Sequence, residues 1–218
     1  MILKRLQDFI GDIYDVSIAH DVYDFLVTDR RHLPVEARTN GPTDEELIVA
    51  QPREGELAMS LYIDPQLLER LDRADPMERL HDGNVADYWT ALEGVSHFMY
   101  LAWNAGHDKP VSLLELEMQA EVDKYVASYW LMRRQLPERF PAELLRILFE
   151  RTRIDPRLAA GRESLYREAS RYAQMFCTRL ERSLRGARGR SQAEVLTELR
   201  RFYRLSNARK VAHIERTA

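Results

Sequence analysis

Residues 46–63 read ELIVAQPREGELAMSLYI. Two apolar runs flank PREG, a turn signal carrying Pro52 and Gly55. In the second run Leu57, Met59, Leu61 and Ile63 alternate with Glu56, Ala58, Ser60 and Tyr62. That is the period of a strand with one buried face. The segment therefore predicts an antiparallel hairpin. A lone hairpin is marginal in water, so it must lie on helices or gain a further strand. Only the N-terminal region offers such a strand.

Downstream of Ile63 the chain reads as helical almost throughout. Asp64-Pro65 and Asp75-Pro76 each set a capping acid before a proline suited to a helix's first turn, and Gly83-Asn84 ends the second of these short helices. A longer helix is expected from Val85 to Ala105, capped by Asn84 and stopped by Gly106. Ser112 and Glu115 form a capping box for a helix reaching Leu136, before Pro137. A shorter helix follows from Pro141 to Arg151, and Gly161 separates it from a long one over Arg162–Leu184. RGARGR, residues 185–190, reads as a loop. Ser191 and Glu194 make a second capping box for a helix ending near Leu205, and SNARKVAHIER closes the helical part.

Upstream, Leu3, Leu6, Phe9, Ile10 and Ile13 recur at helical spacing, which predicts a helix over 2–14. In DVSIAHDVYDFLVTD the first residues suit a short strand, while His20–Leu33 suits a helix ended by Pro34. VEARTNGPTDEE is rich in turn formers and reads as an irregular connection. The fold class is mostly α (α+β): a multi-helix array with a small antiparallel β-hairpin near the N-terminus. We expect a single domain over 1–218, with 1–83 as its hairpin-containing part and 84–218 as its helical part.

The chain has 218 residues, 45% of them hydrophobic and 31% charged, values that argue against disorder of the whole. The single Cys177 cannot form an internal disulfide, so nothing implies an oxidising compartment, and a cytoplasmic protein is expected. The first fifteen residues acquire charges at Lys4, Arg5 and Asp8 and lack the uncharged core of a signal peptide. The longest run without Asp, Glu, Lys or Arg, Gly94–His107, is too short for a membrane span. Charge is uneven: Arg179–Arg216 carries +7 and the residues before it −10. An acidic body with a basic end suggests an acidic partner or packing of one end on the other.

No Gly-rich phosphate loop, G-x-S-x-G, H-E-x-x-H or Cys/His pair at zinc spacing is present. No cofactor or metal is assigned. Three groups of residues remain as candidates. In DYWTALEGVSHFMYLAW, residues 87–103, apolar residues lie on every side, so the helix should be central. Glu93 and His97 stand four apart on it, an acid–base or ligand pair, or simply a satisfied polar contact. In the next helix Glu117, Glu121 and Lys124 share a face; with Glu93 and His97 they suggest a carboxylate metal bundle, but the spacing departs from Glu-x-x-His in duplicate. Trp89, Leu92, Val95, Met99, Leu114, Met118, Val122 and Tyr125 are the expected core.

The third group is basic: Arg182, Arg185, Arg188, Arg190, Arg200, Arg201, Arg204, Arg209 and Lys210, interleaved with Phe202 and Tyr203. Arginine forks bind phosphates and carboxylates well. Because the chain as a whole is mildly acidic, a protein partner or a second copy is favoured over nucleic acid. Cys177 and His213 read as packing residues. Two functional classes follow. The first is a non-enzymatic macromolecule-binding protein, an adaptor, regulator or assembly subunit, with residues 182–216 as its contact surface. The second is a metal-dependent or acid–base enzyme centred on Glu93/His97 and Glu117/Glu121.

Overall fold

The computed structural model describes residues 1–33, 44–50, 58–150, 163–185 and 192–216. Among these residues are helices α1 (Ile2–Tyr14), α2 (Pro65–Arg73), α3 (Val85–Ala105), α4 (Leu113–Gln135), α5 (Leu144–Glu150), α6 (Glu163–Arg185), α7 (Gln192–Tyr203) and α8 (Asn207–Glu215). Strands β1 (Leu26–Val27), β2 (Glu45–Ala50) and β3 (Ala58–Ile63) form a mixed sheet in the order β1-β3-β2. The protein is thus mostly α with a small sheet near its N-terminus. Among the described residues no helix is long and apolar enough to cross a membrane. The PREG turn, the 34–43 connection, Gly161, the RGARGR loop beyond Arg185 and the Ser191 cap lie outside the described residues.

The chain groups into two compact units: Met1–Phe9 with Ser17–Pro110, and Ile10–Val16 with Val111–Ala218. Strands β2 and β3 thus share their unit with α3.

In the first unit β2 and β3 pair antiparallel, Leu47 opposite Leu61 and Val49 opposite Met59. The third strand comes from the N-terminal region: β1 joins β3 in parallel, Leu26 opposite Leu61. It forms where a helix over 20–33 is expected. Asp21 and Asp29 each accept the backbone N–H two residues on, from Tyr23 and Arg31, and so open single 3₁₀ turns instead. Asp75 acts likewise toward the Met77 N–H, so 75–79 is a turn and the second proline-led helix does not form. Asn84 does not cap α3 with its side chain; that side chain donates to the Ala74 and Arg79 carbonyls, both at 2.9 Å, and fixes the preceding loop.

Helix α3 lies on β2 and β3. Gly94 makes the close approach: a Cβ there would stand 2.8 Å from Glu45 Oε2 and 2.9 Å from Leu61 Cδ1. Tyr88, Leu92, Val95, Phe98 and Met99 are buried, as an all-round apolar helix requires, while Trp89 is only half-buried.

In the second unit α4, α5 and α6 pack on one another, with α7 and α8 against α6. The Phe176 and Phe202 rings stack at 3.9 Å, and Cys177, next to Phe176 in sequence, is fully buried. Met118, Val122 and Tyr125 are buried as expected; Leu114, at the start of α4, is half-buried. Ser112 caps α4 by accepting the Glu115 N–H at 3.2 Å.

Candidate functional site

Glu93 and His97 sit one turn apart on α3 in the first unit, with a carboxylate oxygen and an imidazole nitrogen within 4.8 Å. His97 is buried and Glu93 half-buried. Glu117 and Glu121 belong to α4 in the second unit. Glu117 is buried, and Glu121 accepts from Lys124 at 2.8 Å, the ion pair expected of a Glu–Lys stripe.

The basic residues divide sharply. Arg188 and Arg190 lie outside the described residues. Arg200 and Arg204 are used within the second unit to close the end of α1. Asp15 adopts φ 53° there, and the Val16 N–H returns to the Gly11 carbonyl at 3.1 Å, a Schellman end. Arg200 Nε donates to Ile13 O at 3.3 Å, and Arg204 donates to Tyr14 O at 3.0 Å and to Asp15 O at 2.7 Å. Cations at open carbonyls also suit the negative end of the helix dipole. Arg185 donates to Ala142 O at 3.0 Å, pairs with Glu181 at 3.2 Å and lies over the Phe140 ring.

Lys210, read from the sequence as part of a contact surface, is completely buried. Helix α8 turns its apolar stripe inward and carries the residue with it, four positions before buried Ile214. Its Nζ donates to Gln119 Oε1 on α4 at 2.5 Å and lies over the Phe202 ring. Gln119 Nε2 in turn donates to Asp123 Oδ1 at 2.7 Å, and Tyr14 Oη donates to the same oxygen at 2.5 Å. Tyr14 stacks on Tyr203 at 4.3 Å. Burial pulls the Lys210 ammonium down to about 7, against the opposing pull of Glu115 and Asp123. Burial, reinforced by Asp123, holds the Tyr14 phenol well above its ordinary range. Only one sequence signal pointed here: a lysine on the apolar stripe of a helix.

A second cluster joins α6, α7 and α8. Glu198 Oε1 lies 2.6 Å from His213 Nε2 and 3.2 Å from Arg179 Nη2. Arg179 Nη2 lies 2.8 Å from the same His213 Nε2. His213, read as a packing residue, thus lies between Arg179 and Glu198 in a polar triad. A shallow cavity of about 420 Å³ lined by Ala193, Glu194, Thr197, Glu198 and Arg201 opens beside it. Arg182, Arg201 and Arg209 are exposed, and their side chains make no hydrogen bond or ion pair to the described residues. Each stands three or four residues from a triad member: Arg182 from Arg179, Arg201 from Glu198, Arg209 from His213. Such residues are neighbours on a helix face. Each of the three arginines therefore starts about one helical turn from a member of the triad.

Comparison with protein-family models, with curated proteins and with solved structures finds no match to this chain.

Proposed function

We propose that this chain is a non-enzymatic helical protein, an adaptor, regulator or assembly subunit, that binds an acidic protein segment on the α6/α7/α8 face. The observation that carries the reading is the set of free guanidinium groups of Arg182, Arg201 and Arg209, each starting about one helical turn from a member of the Arg179–Glu198–His213 triad. Among the described residues, Arg179, Arg185, Arg200 and Arg204 are held by carbonyls or carboxylates of the second unit, whereas these three have donors to offer. A protein segment is favoured over nucleic acid because the chain as a whole is mildly acidic, unlike most nucleic-acid binders. The single, buried Cys177 supports assignment to the cytoplasm.

The test is association of the full chain with poly-aspartate, with short duplex DNA and with itself, at low and moderate salt. Replacing Arg182, Arg201 and Arg209 together by Ala should weaken poly-aspartate binding at both salts, and most at low salt, where screening is least. Unaltered binding in that variant would reject the face. Tighter binding to DNA, with a steep log-linear fall in salt, would replace the protein partner by nucleic acid. Arginine-dependent sedimentation of the chain alone would make the partner a second copy.

The enzyme reading has one observation in its favour: the Glu93 and His97 ligand atoms within 4.8 Å on α3. Elemental analysis of the purified protein tests it, and stoichiometric zinc or manganese would support it over the binding reading.

A further inference from the structure

The two compact units carry opposite charge. The first, Met1–Phe9 with Ser17–Pro110, has 19 acidic and 10 basic residues, a net −9. The second, Ile10–Val16 with Val111–Ala218, has 16 acidic and 22 basic residues, a net +6. Charges of the minority sign are engaged inside their own unit. In the first, Arg5 pairs with Asp75 and Glu78, Arg31 with Asp29, Arg70 with Asp87 and Arg73 with Glu69. In the second, Glu181 pairs with Arg185, and Glu198 with Arg179. The majority sign is left over in both. Arg182, Arg201 and Arg209 are the leftover of the second unit. In the first, Asp24 and Asp72 are exposed, and their side chains make no hydrogen bond or ion pair to the described residues.

The leftover carboxylates gather about one side chain. Asp24 ends the 3₁₀ turn Val22–Asp24, directly after Tyr23. Tyr23 Oη accepts the Leu3 N–H at 3.3 Å, which fixes the turn on α1. Burial lifts the Tyr23 phenol, against the pull of the Leu3 N–H, and the charges of Asp72 on α2 and of Asp21 lift it further. Asp21 and Asp72 are thus within electrostatic reach of the turn that carries Asp24. On the other unit Arg182, Arg201 and Arg209 come from α6, α7 and α8, which the triad ties together.

We propose that the partner of the α6/α7/α8 face is a second copy of this chain, which presents Asp21, Asp24 and Asp72 to Arg182, Arg201 and Arg209. This names the partner in the binding reading of that face and rests on it. Two different patches meet, so the contact is heterologous, and each copy keeps a patch free for the next one; the assembly is a ring or a filament, not a two-fold pair. The opposite net charges of the units draw unlike surfaces together and disfavour like ones. Contacts through exposed ion pairs are weak and fade as salt rises.

The experiment is sedimentation of the full chain over a concentration series. At about 0.01 M salt larger species should grow with concentration; at about 1 M, where the screening length falls to about 3 Å, one copy should sediment alone. Replacing Arg182, Arg201 and Arg209 by Ala should weaken association about tenfold, the worth of three exposed ion pairs. Charge exchange is the sharper test. The Arg182→Glu, Arg201→Glu, Arg209→Glu variant sets an acidic face against its own acidic patch. The Asp24→Lys, Asp72→Lys variant sets a basic patch against its own basic face. Neither should self-associate, and an equal mixture should, because each face then meets a patch of opposite sign on the other variant. A chain that stays single at low salt, or a mixture no larger than its components, overturns the second copy as partner. Poly-aspartate separates that failure from failure of the face: arginine-dependent binding by a chain that stays single leaves the face to another acidic protein, and binding that ignores the arginines removes the face too. Should a charge-reversed variant fail to fold, the salt and concentration dependence of the unaltered chain and of the alanine variant decides.

Discussion

The two units are held by different kinds of interior. In the first, α3 presses an apolar surface onto a small sheet, and the decisive contact is an absent side chain, Gly94 against Glu45 and Leu61. In the second, buried polar groups meet across long stretches of chain: Tyr14, Gln119, Asp123 and Lys210, with arginines closing the end of α1. An apolar interior tolerates local change in proportion to the volume altered. A connected polar interior does not, because removing one member strands the others. The contrast predicts which substitutions hurt most.

The largest effect is expected at Asp123. Asp123→Ala strips the acceptor from Tyr14 and Gln119 and the nearby negative charge from buried Lys210. Breaking a buried charged network in this way costs about 3–5 kcal/mol. Denaturant unfolding measures it, and a loss below about 1 kcal/mol would erase the contrast between the units. Gly94→Ala tests the other side. Alanine gains about 1 kcal/mol of helix propensity over glycine. The added Cβ would meet Leu61 Cδ1 at 2.9 Å, and Leu61 is fully buried. Overpacking of about 1–3 kcal/mol should exceed the gain, so a net loss of about 1–2 kcal/mol is expected. A stabilised variant would mean that the sheet can retreat.

The buried lysine also gives the second unit a pH signature. Lys210 binds its proton until about pH 7 when folded, whereas an unfolded lysine holds it to about 10.5. Between those values the unfolded chain binds more protons, so stability must rise with pH. Cys177, and Tyr14 and Tyr203, act in the opposite sense: burial raises them, so they withdraw stability above about pH 9 and 10, the ordinary values of a thiol and a phenol. Stability should therefore climb by on the order of 2 kcal/mol from pH 7 toward pH 9 and then fall. Urea unfolding at a series of pH values checks this. Lys210→Met should flatten the rising limb, and a limb that survives the substitution would assign it to another group.

What was legible in the sequence follows the same divide. The hairpin strands, α1, α3 and α4 were readable because alternation, helical spacing and capping residues are local properties. The bounds of α3 were met to the residue, since Gly106 follows directly on Ala105. The 20–33 segment was not readable. Its two-residue strand is defined by a partner at Leu61–Tyr62, and its turns by two aspartate side chains. The candidate site was legible in part. That arginines crowd the basic end is plain from composition, and Arg182 and Arg201 are exposed as expected. That Lys210 is buried, or that His213 lies between Glu198 and Arg179, depends on pairings 91, 15 and 34 residues apart. No local period encodes those.

The smallest effect expected belongs to Arg204. Its guanidinium donates to Tyr14 O and Asp15 O, so it serves the second unit as the cap of α1. One of these bonds is exposed and the other part-buried at a helix end, where water can replace a lost donor. Arg204→Ala should then cost about 1 kcal/mol, the usual worth of a cation at a helix C-terminus. Because the attraction is partly electrostatic and exposed, the cost should shrink as salt rises. Arg204→Lys keeps the charge but loses the fork that reaches two carbonyls at once, and should recover only part of the loss. Denaturant midpoints for the three proteins at low and high salt make the comparison. If Arg204→Ala were as damaging as Asp123→Ala, the end of α1 would belong to the same cooperative network as Lys210. If it cost nothing, the arginines of the basic end would be free for a partner after all, and the face bound by that partner would extend to α1.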